Sequence, residues 1–274
     1  MQVNPIDLKK FRRVITSHYR LHGRDMAWRR TRNPYHILVS EVMLQQTQVS
    51  RVEKFYPEFL KKFPTARALA RAPLADVMRA WQGLGYNRRA LMLKKLAKQV
   101  VANYSGKIPA DPALLEDLPG IGAATAAAVA AFAFNMPSAF IETNIRRVFI
   151  HFFFPQAKKV SDKDIMPFIG ATLDRKNPRE WYYALMDYGS HLGREEKENP
   201  NRRSVHYVRQ SGFEGSDRQV RARIVRLLLV KKEQTLAEIA RNLGERENRI
   251  AAILASLQKE GLIKKSKNHF SLHS

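Results

Sequence analysis

LPGIGAATA, running from Leu118 to Ala126, is the most informative turn in the chain. Its two glycines let the backbone turn sharply and approach a ligand closely. The alanine-rich run that follows, to Phe134, reads as a helix. The N-terminus of such a helix offers unpaired N–H groups and positive partial charge. Turn and helix end together form a phosphate cradle that needs no side chain. A Gly-x-Gly turn standing alone serves structure as readily as binding, and the small alanines also permit close helix packing.

Charge narrows the choice. Across 274 residues the chain carries 48 Lys+Arg against 25 Asp+Glu, a formal net charge of +23. The basic residues are spread along the chain, which points to folded domains lying along a polyanion, nucleic acid first. A ribosome-associated protein or a merely basic surface is the alternative. In that basic, helical setting the Leu-Pro-Gly-Ile-Gly turn resembles a helix-hairpin-helix clamp on a DNA backbone. There is no cysteine, so disulfides, thiol catalysis and cysteine-ligated metal centres are excluded. No apolar run has the length of a membrane span, and no secretory signal is apparent at the N-terminus. A cytoplasmic, nucleoid-associated protein without membrane contact is expected.

The rest of the chain also reads as nearly all helix. An N-terminal helix is expected to begin with Asn4 as cap and Pro5 at the first position and to stop at Gly23, with Leu8, Phe11, Ile15 and Tyr19 facing a core. A single helix after Asn33–Tyr35 is expected to carry ILVSEVMLQQTQVSRVEKFY, which puts Glu41 and Gln45 on one face. PTARALARAP and LADVMRAWQGLG read as two short helices, and NRRALMLKKLAKQVVANY as a longer one. Residues 191–204 are polar and irregular, and residues 211–218 look like a linker. Beyond them come three helices, a capping box of Thr235 with Glu238, a stop at Gly244 and a hairpin turning near Lys267 and Asn268. That order matches a winged helix-turn-helix.

Two carboxylates stand out. Glu41 sits among Ile37, Leu38, Val42 and Met43, where partial burial would favour its protonated form and make it a usable general acid. Glu142, in FIETNIRRVFIHFFF (140–154), stands next to a helix start, although glutamate caps helices poorly. Either Thr143 is the cap and Glu142 a solvated acid favoured by the helix dipole, or Glu142 has work of its own.

SEVMLQQTQV (40–49), WQGLGY (81–86), LPGIGAATA (118–126) and ALMDYG (184–189), in this order and spacing, resemble the adenine DNA glycosylase branch of the endonuclease III (helix-hairpin-helix) superfamily over roughly residues 5 to 210. The resemblance implies a two-lobed, all-α fold. A six-helix lobe would span residues 25–135, a second lobe residues 1–24 and 136–214, and a winged-helix-like module residues 217–274. It implies double-stranded DNA with a mispaired or damaged base as partner, and a monomer suffices for that chemistry. It assigns Glu41 as the acid that protonates the leaving base. The family's Asp-Gly-Asn run falls on Glu142, Thr143 and Asn144, so Glu142 would stabilise the oxocarbenium-like sugar and Asn144 would hold it. Trp28 and Arg29 would line the base pocket together with Ala124. Gln45, Gln46 and Tyr86 would enter the base stack, and Gly120, Ile121, Gly122 and Thr125 would hold the backbone.

The chain also departs from that pattern. Ala124 stands where endonuclease III has the lysine that attacks the sugar, and no lysine occurs between Lys107 and Lys158. A monofunctional glycosylase without lyase activity is therefore expected. The four iron–sulfur cysteines are replaced by Gly193, Pro200, Arg203 and Arg209, which makes this a clusterless variant. Val205, Tyr207, Val208 and Phe213 are candidates for replacement packing. The hairpin turn is a candidate place for a monovalent cation. In the C-terminal module, Arg246, Asn248 and Arg249 could enter a groove and Lys264, Lys265 and Lys267 could form a basic wing, with phosphate contacts placed ahead of base reading. The expected substrate is adenine opposite 8-oxoguanine or guanine. The alternatives are uracil or thymine opposite guanine, another lesion, or a non-catalytic DNA-binding protein on a glycosylase scaffold.

Overall fold

The computed structural model of the chain describes residues 5–209 and 212–273, with side chains from residue 8 onward. In chain order, α1 (Pro5–His22) leads through a 3-10 turn (Ala27–Arg29) to α2 (Pro34–Leu44) and α3 (Val49–Lys62). The short helices α4 (Ala66–Arg71) and α5 (Leu74–Trp81) precede the long α6 (Arg88–Tyr104). The glycine turn joins α7 (Pro112–Glu116) to α8 (Ala123–Phe134), and α9 (Thr143–Phe153), α10 (Asp162–Thr172) and α11 (Pro178–Glu195) follow. The C-terminal part holds α12 (Asp217–Lys231), β1 (Glu233–Thr235), α13 (Leu236–Leu243), α14 (Glu247–Lys259), β2 (Ile263–Ser266) and β3 (His269–Leu272).

Contacts divide the chain into two units. One comprises Met1–Ile37, Pro109–Asp117 and Ile121–Arg209; the other comprises Leu38–Ile108, Leu118–Gly120 and Gln210–Ser274. The first unit is built on α9 and α11. Phe11 of α1 sits among Phe149, Phe152, Phe153 and Trp181, its ring centroid 5.0–6.0 Å from theirs. α9 and α11 meet at Gly189, where a Cβ would lie 2.3 Å from the Asn144 carbonyl oxygen, so no larger residue fits there. α1 begins at Pro5 and stops at Gly23, whose N–H donates to the Tyr19 carbonyl at 2.8 Å. Phe11 and Ile15 are buried as their spacing requires. The expected cap, Asn4, lies outside the described residues.

In the second unit, Trp81 and Phe59 are fully buried and meet edge to face at 5.7 Å. The C-terminal module packs Ile250, Ile253, Leu254 and Leu257 of α14 inward. Its caps follow the sequence: Thr235 and Glu238 form a reciprocal capping box, and Gly244 ends α13 in the left-handed region. β2 and β3 form the expected hairpin with Lys267 at positive φ, and β1 adds a third strand in the order β1-β3-β2 that periodicity did not reveal.

The expected single helix across SEVMLQQTQV is two. α2 ends at Leu44, Gln46 adopts φ 53°, and α3 starts at Val49, so Gln45 does not continue the face of Glu41. Asn33 caps α2, its side-chain oxygen accepting from the N–H groups of Tyr35 (3.0 Å) and His36 (3.3 Å). The break is held by Arg89 at the start of α6. Its Nη1 donates to the carbonyls of Val42 (2.9 Å), Met43 (2.8 Å) and Gln45 (2.5 Å). Its Nη2 donates to Thr47 Oγ1 (2.9 Å) and the carbonyls of Leu84 (3.0 Å) and Gly85 (3.2 Å). One guanidinium thus ties the QQT turn to the GLGY turn and satisfies the carbonyls at the end of α2. Burial pushes Arg89 down to about 10, which leaves it charged at neutral pH.

Arg89→Ala leaves those carbonyls without their donor. The expected loss is about 3 kcal/mol of stability in urea unfolding. Arg89→Lys is expected to recover less than half of it, because one ammonium cannot bridge both turns.

Candidate active site and loops

Glu142 itself is the N-cap of α9, so the alternative with Thr143 as cap and Glu142 as a solvated acid does not hold. Its Oε1 accepts from the N–H groups of Asn144 (2.7 Å) and Ile145 (2.8 Å). Its Oε2 accepts one longer bond, from Asn144 Nδ2 at 3.2 Å. Asn144 is itself fixed, since Arg147 Nη1 donates to its Oδ1 (3.0 Å) and to the Gly189 carbonyl (2.5 Å). Loss of water pushes the Glu142 carboxyl above its ordinary value; the two backbone N–H groups, Arg147 and Arg146 oppose that shift without cancelling it. The longer side chain therefore reaches the capping position that a shorter acid takes more readily. Oε2, with that single long bond, keeps lone-pair capacity for a further partner.

Trp28 and Arg29 lie in the 3-10 turn before α2. Trp28 is buried, and the Arg29 guanidinium is committed to Asp187 of α11, with Nη1–Oδ2 and Nη2–Oδ1 each at 2.8 Å. Arg24 adds its backbone N–H (2.8 Å) and its Nε (2.7 Å) to the same carboxylate. Burial alone would raise Asp187, but the Arg29 and Arg24 groups outweigh it and hold the carboxyl below its usual range. Arg29 also lies 4.4 Å over the Tyr183 ring. This cluster fixes the turn that carries Trp28. Its signal in the sequence is the lone acid of ALMDYG, Asp187.

Glu41 is half-buried on α2, beside the buried Ser40 and Val42. It belongs to the second unit and Glu142 to the first, so the two carboxylates come from separate units. Gln45, Gln46 and Tyr86 sit on the two turns tied by Arg89 and line one groove together with Gly120. Tyr86 adopts φ 47° and is 36% exposed. At the hairpin, Gly120 adopts φ 82°, and a Cβ there would lie 2.7 Å from Met92 Cβ. Gly122 caps α8 without a side chain and has open space where a Cβ would be. Ile121 is buried, Thr125 is half-buried, and Ala124 is exposed on the first turn of α8. The start of α8 is thus exposed and has no side-chain acceptor at its cap, a suitable seat for an anion.

The segment that replaces the cysteine positions is pinned by polar side chains. Asn199 Oδ1 accepts from Arg147 Nε (3.1 Å), and Asn201 Nδ2 donates to the Thr143 carbonyl (2.9 Å). Arg203 Nη1 donates to the Phe154 carbonyl (2.8 Å), and the Val160 N–H donates to the Arg203 carbonyl (2.8 Å). The four residues expected to supply packing do not: Val205, Tyr207, Val208 and Phe213 are 52%, 42%, 83% and 53% exposed. Hydrogen bonds to the N-terminal part of α9 and to Phe154 hold this segment, which is why it needs little apolar area of its own. Among the described residues no group of three His, Cys, Asp or Glu side chains could hold a metal ion.

Residues 39–168 match the family model described as HhH-GPD superfamily base excision DNA repair protein. The chain is 34% identical over 235 residues to an adenine DNA glycosylase of Mycobacterium tuberculosis (strain CDC 1551 / Oshkosh), an alignment covering 77% of this chain and 75% of that protein. It is 32% identical over 190 residues to a thymine/uracil-DNA glycosylase of Pyrobaculum aerophilum, covering 67% of this chain and 83% of that protein. Among solved structures, that of a thermostable thymine-DNA glycosylase matches with a TM-score of 0.63 at 27% identity, covering 71% of this chain and 91% of that one. The chain belongs to the HhH-GPD superfamily of base excision DNA repair proteins, on its adenine DNA glycosylase branch, and is a DNA glycosylase.

Proposed function

We propose that the chain is a monofunctional glycosylase that hydrolyses the N-glycosidic bond of a flipped, mispaired adenine opposite 8-oxoguanine or guanine. The observation that carries the mechanism is Glu142, a carboxylate held at the N-terminus of α9 with one oxygen saturated by backbone donors and the other accepting a single long bond. Glu41 protonates the departing base, and the C1′–N bond breaks with its electron pair going to the base. The sugar becomes oxocarbenium-like, and the Glu142 charge stabilises it. Water then adds to C1′ and loses a proton, leaving an abasic site.

Ala124 offers no amine to attack the sugar, which supports hydrolysis without strand cleavage. The absence of cysteine supports a protein that works without an iron–sulfur cluster. The turns bearing Gln45, Gln46 and Tyr86 would occupy the stack vacated by the flipped base, with Gly120, Ile121, Gly122 and Thr125 on the backbone. Trp28, steadied through Arg29 and Asp187, would stand beside the base. The partner is double-stranded DNA, and one copy of the chain suffices. Adenine is favoured by the relative from M. tuberculosis. Thymine or uracil opposite guanine is the second reading, favoured by the P. aerophilum relative and by the small Ala124.

Single-turnover excision on duplexes holding adenine opposite 8-oxoguanine, guanine or cytosine, and uracil or thymine opposite guanine, identifies the base. Fastest product from adenine opposite 8-oxoguanine or guanine, seen only after alkali, is expected; strand cleavage without alkali sinks the monofunctional reading. Glu41→Gln is expected to slow excision by at least about 10²-fold with DNA affinity retained. The rate is also expected to fall as pH drops through the Glu142 carboxyl. Its protonated form carries no charge to stabilise the sugar, so the midpoint lies above the ordinary glutamate value of 4.5. An acid limb at or below that value contradicts the assignment.

A further inference from the structure

The second unit contains a groove of about 1020 Å³, between the turns that carry Gln45, Gln46 and Tyr86 and helix α12 of the C-terminal module. The volume is at the upper end of the ~300–1,000 Å³ usual for ligand sites. Six arginines line it, Arg51, Arg88, Arg89, Arg218, Arg221 and Arg226, against one acid, Glu260. Arg89 is spent on backbone carbonyls, and Arg221 is paired with Glu260 at 2.7 Å. Arg218 Nη1 donates to the Tyr86 hydroxyl at 3.1 Å, a direct link between module and turn. Arg51, Arg88 and Arg226 are exposed, and their side chains make no hydrogen bond or ion pair among the described residues. The lining also includes apolar side chains, among them Phe213, which is 53% exposed, and the buried Val225.

The third helix of the module is differently placed. Arg249 of α14, a candidate for groove reading, donates to Asp217 (2.8 and 2.9 Å) and to Glu245 (2.9 Å). Those bonds hold the module together and leave α12, rather than α14, with cations facing a cavity.

An exposed aromatic ring and unpaired cations lining one groove suit a flat, hydrophobic ring attached to phosphates. We propose that this groove takes an unstacked nucleotide of bound DNA, its base against Phe213 and its flanking phosphates against Arg51, Arg88 and Arg226. The C-terminal module is then one wall of the glycosylase's DNA site, not a separate DNA-binding domain. The inference rests on the reading of the chain as a DNA-binding glycosylase. The nucleotide comes either from the strand that loses the base or from its complement.

The test uses the full chain and a duplex with a tetrahydrofuran abasic analogue. 2-Aminopurine is placed directly opposite the analogue in one duplex and beside it in the same strand in another. Saturating protein is expected to change the fluorescence of one duplex and not the other, which identifies the strand. Phe213→Ala and Arg226→Glu are expected to abolish that change, and Arg226→Glu to weaken binding on the order of tenfold. Both residues are exposed, so the variants should fold. Replacing Lys264, Lys265 and Lys267 together by Ala is expected to leave the change intact. The inference is overturned if the groove variants keep the wild-type signal, if the wing variant loses it, or if the duplex binds with neither position responding. Failure to bind either duplex removes the DNA-binding reading itself.

Discussion

α9 can bring its N-terminus against α11 only because Gly189 has no side chain. A Cβ there would collide with the Asn144 carbonyl, part of the first turn that Glu142 caps. Arg147 then locks the same turn, bridging Asn144, the Gly189 carbonyl and Asn199. One glycine and one arginine thus set where the carboxylate stands. The extra methylene of glutamate is absorbed by this framework, since the side chain still reaches two backbone N–H groups at ordinary distances.

The same framework explains how the segment at residues 199–205 stays in place without cysteine. Asn199, Asn201 and Arg203 reach back to Arg147, Thr143 and Phe154, so the bonds that organise the carboxylate also anchor this segment. Hydrogen bonds to a charged group, such as that from Arg147 to Asn199, are the stronger kind, and several acting together can replace a covalent crosslink locally. In the second unit Arg89 has a parallel role: it fastens two turns whose residues at positive φ, Gln46 and Tyr86, stand at the groove. Both units therefore hold their candidate site residues with an arginine directed at backbone carbonyls.

Much of this was legible in the sequence because it is local. The glycine turn before an alanine-rich helix, the Thr235–Glu238 box, the Gly244 stop and the apolar spacing of α6 and α14 are each written within a few residues. The order of four motifs pointed to the family, which the relatives bear out, and named Glu41, Glu142 and Asn144 as candidates. What was illegible is long-range. Helical spacing continues through Leu44–Val49, and the break there depends on Arg89, some forty residues away and indistinguishable in sequence from its neighbour Arg88. The apolar residues after position 204 invited a packing role, yet polar residues before them hold the segment. Asp187 is visible as the lone acid of ALMDYG, but its partners, Arg24 and Arg29, lie about 160 residues earlier.

In the proposed mechanism Glu142 is a working carboxylate as well as a cap. Glu142→Gln separates the two roles, because the amide oxygen still accepts the backbone N–H bonds while the charge is removed. The decisive measurement is its single-turnover excision rate on the preferred duplex, with thermal stability and DNA affinity measured alongside. The expected rate is lower by about 10²–10³-fold, with stability and affinity near those of the unaltered chain. A rate close to that of the unaltered chain would make Glu142 a helix cap only and contradict the proposed mechanism.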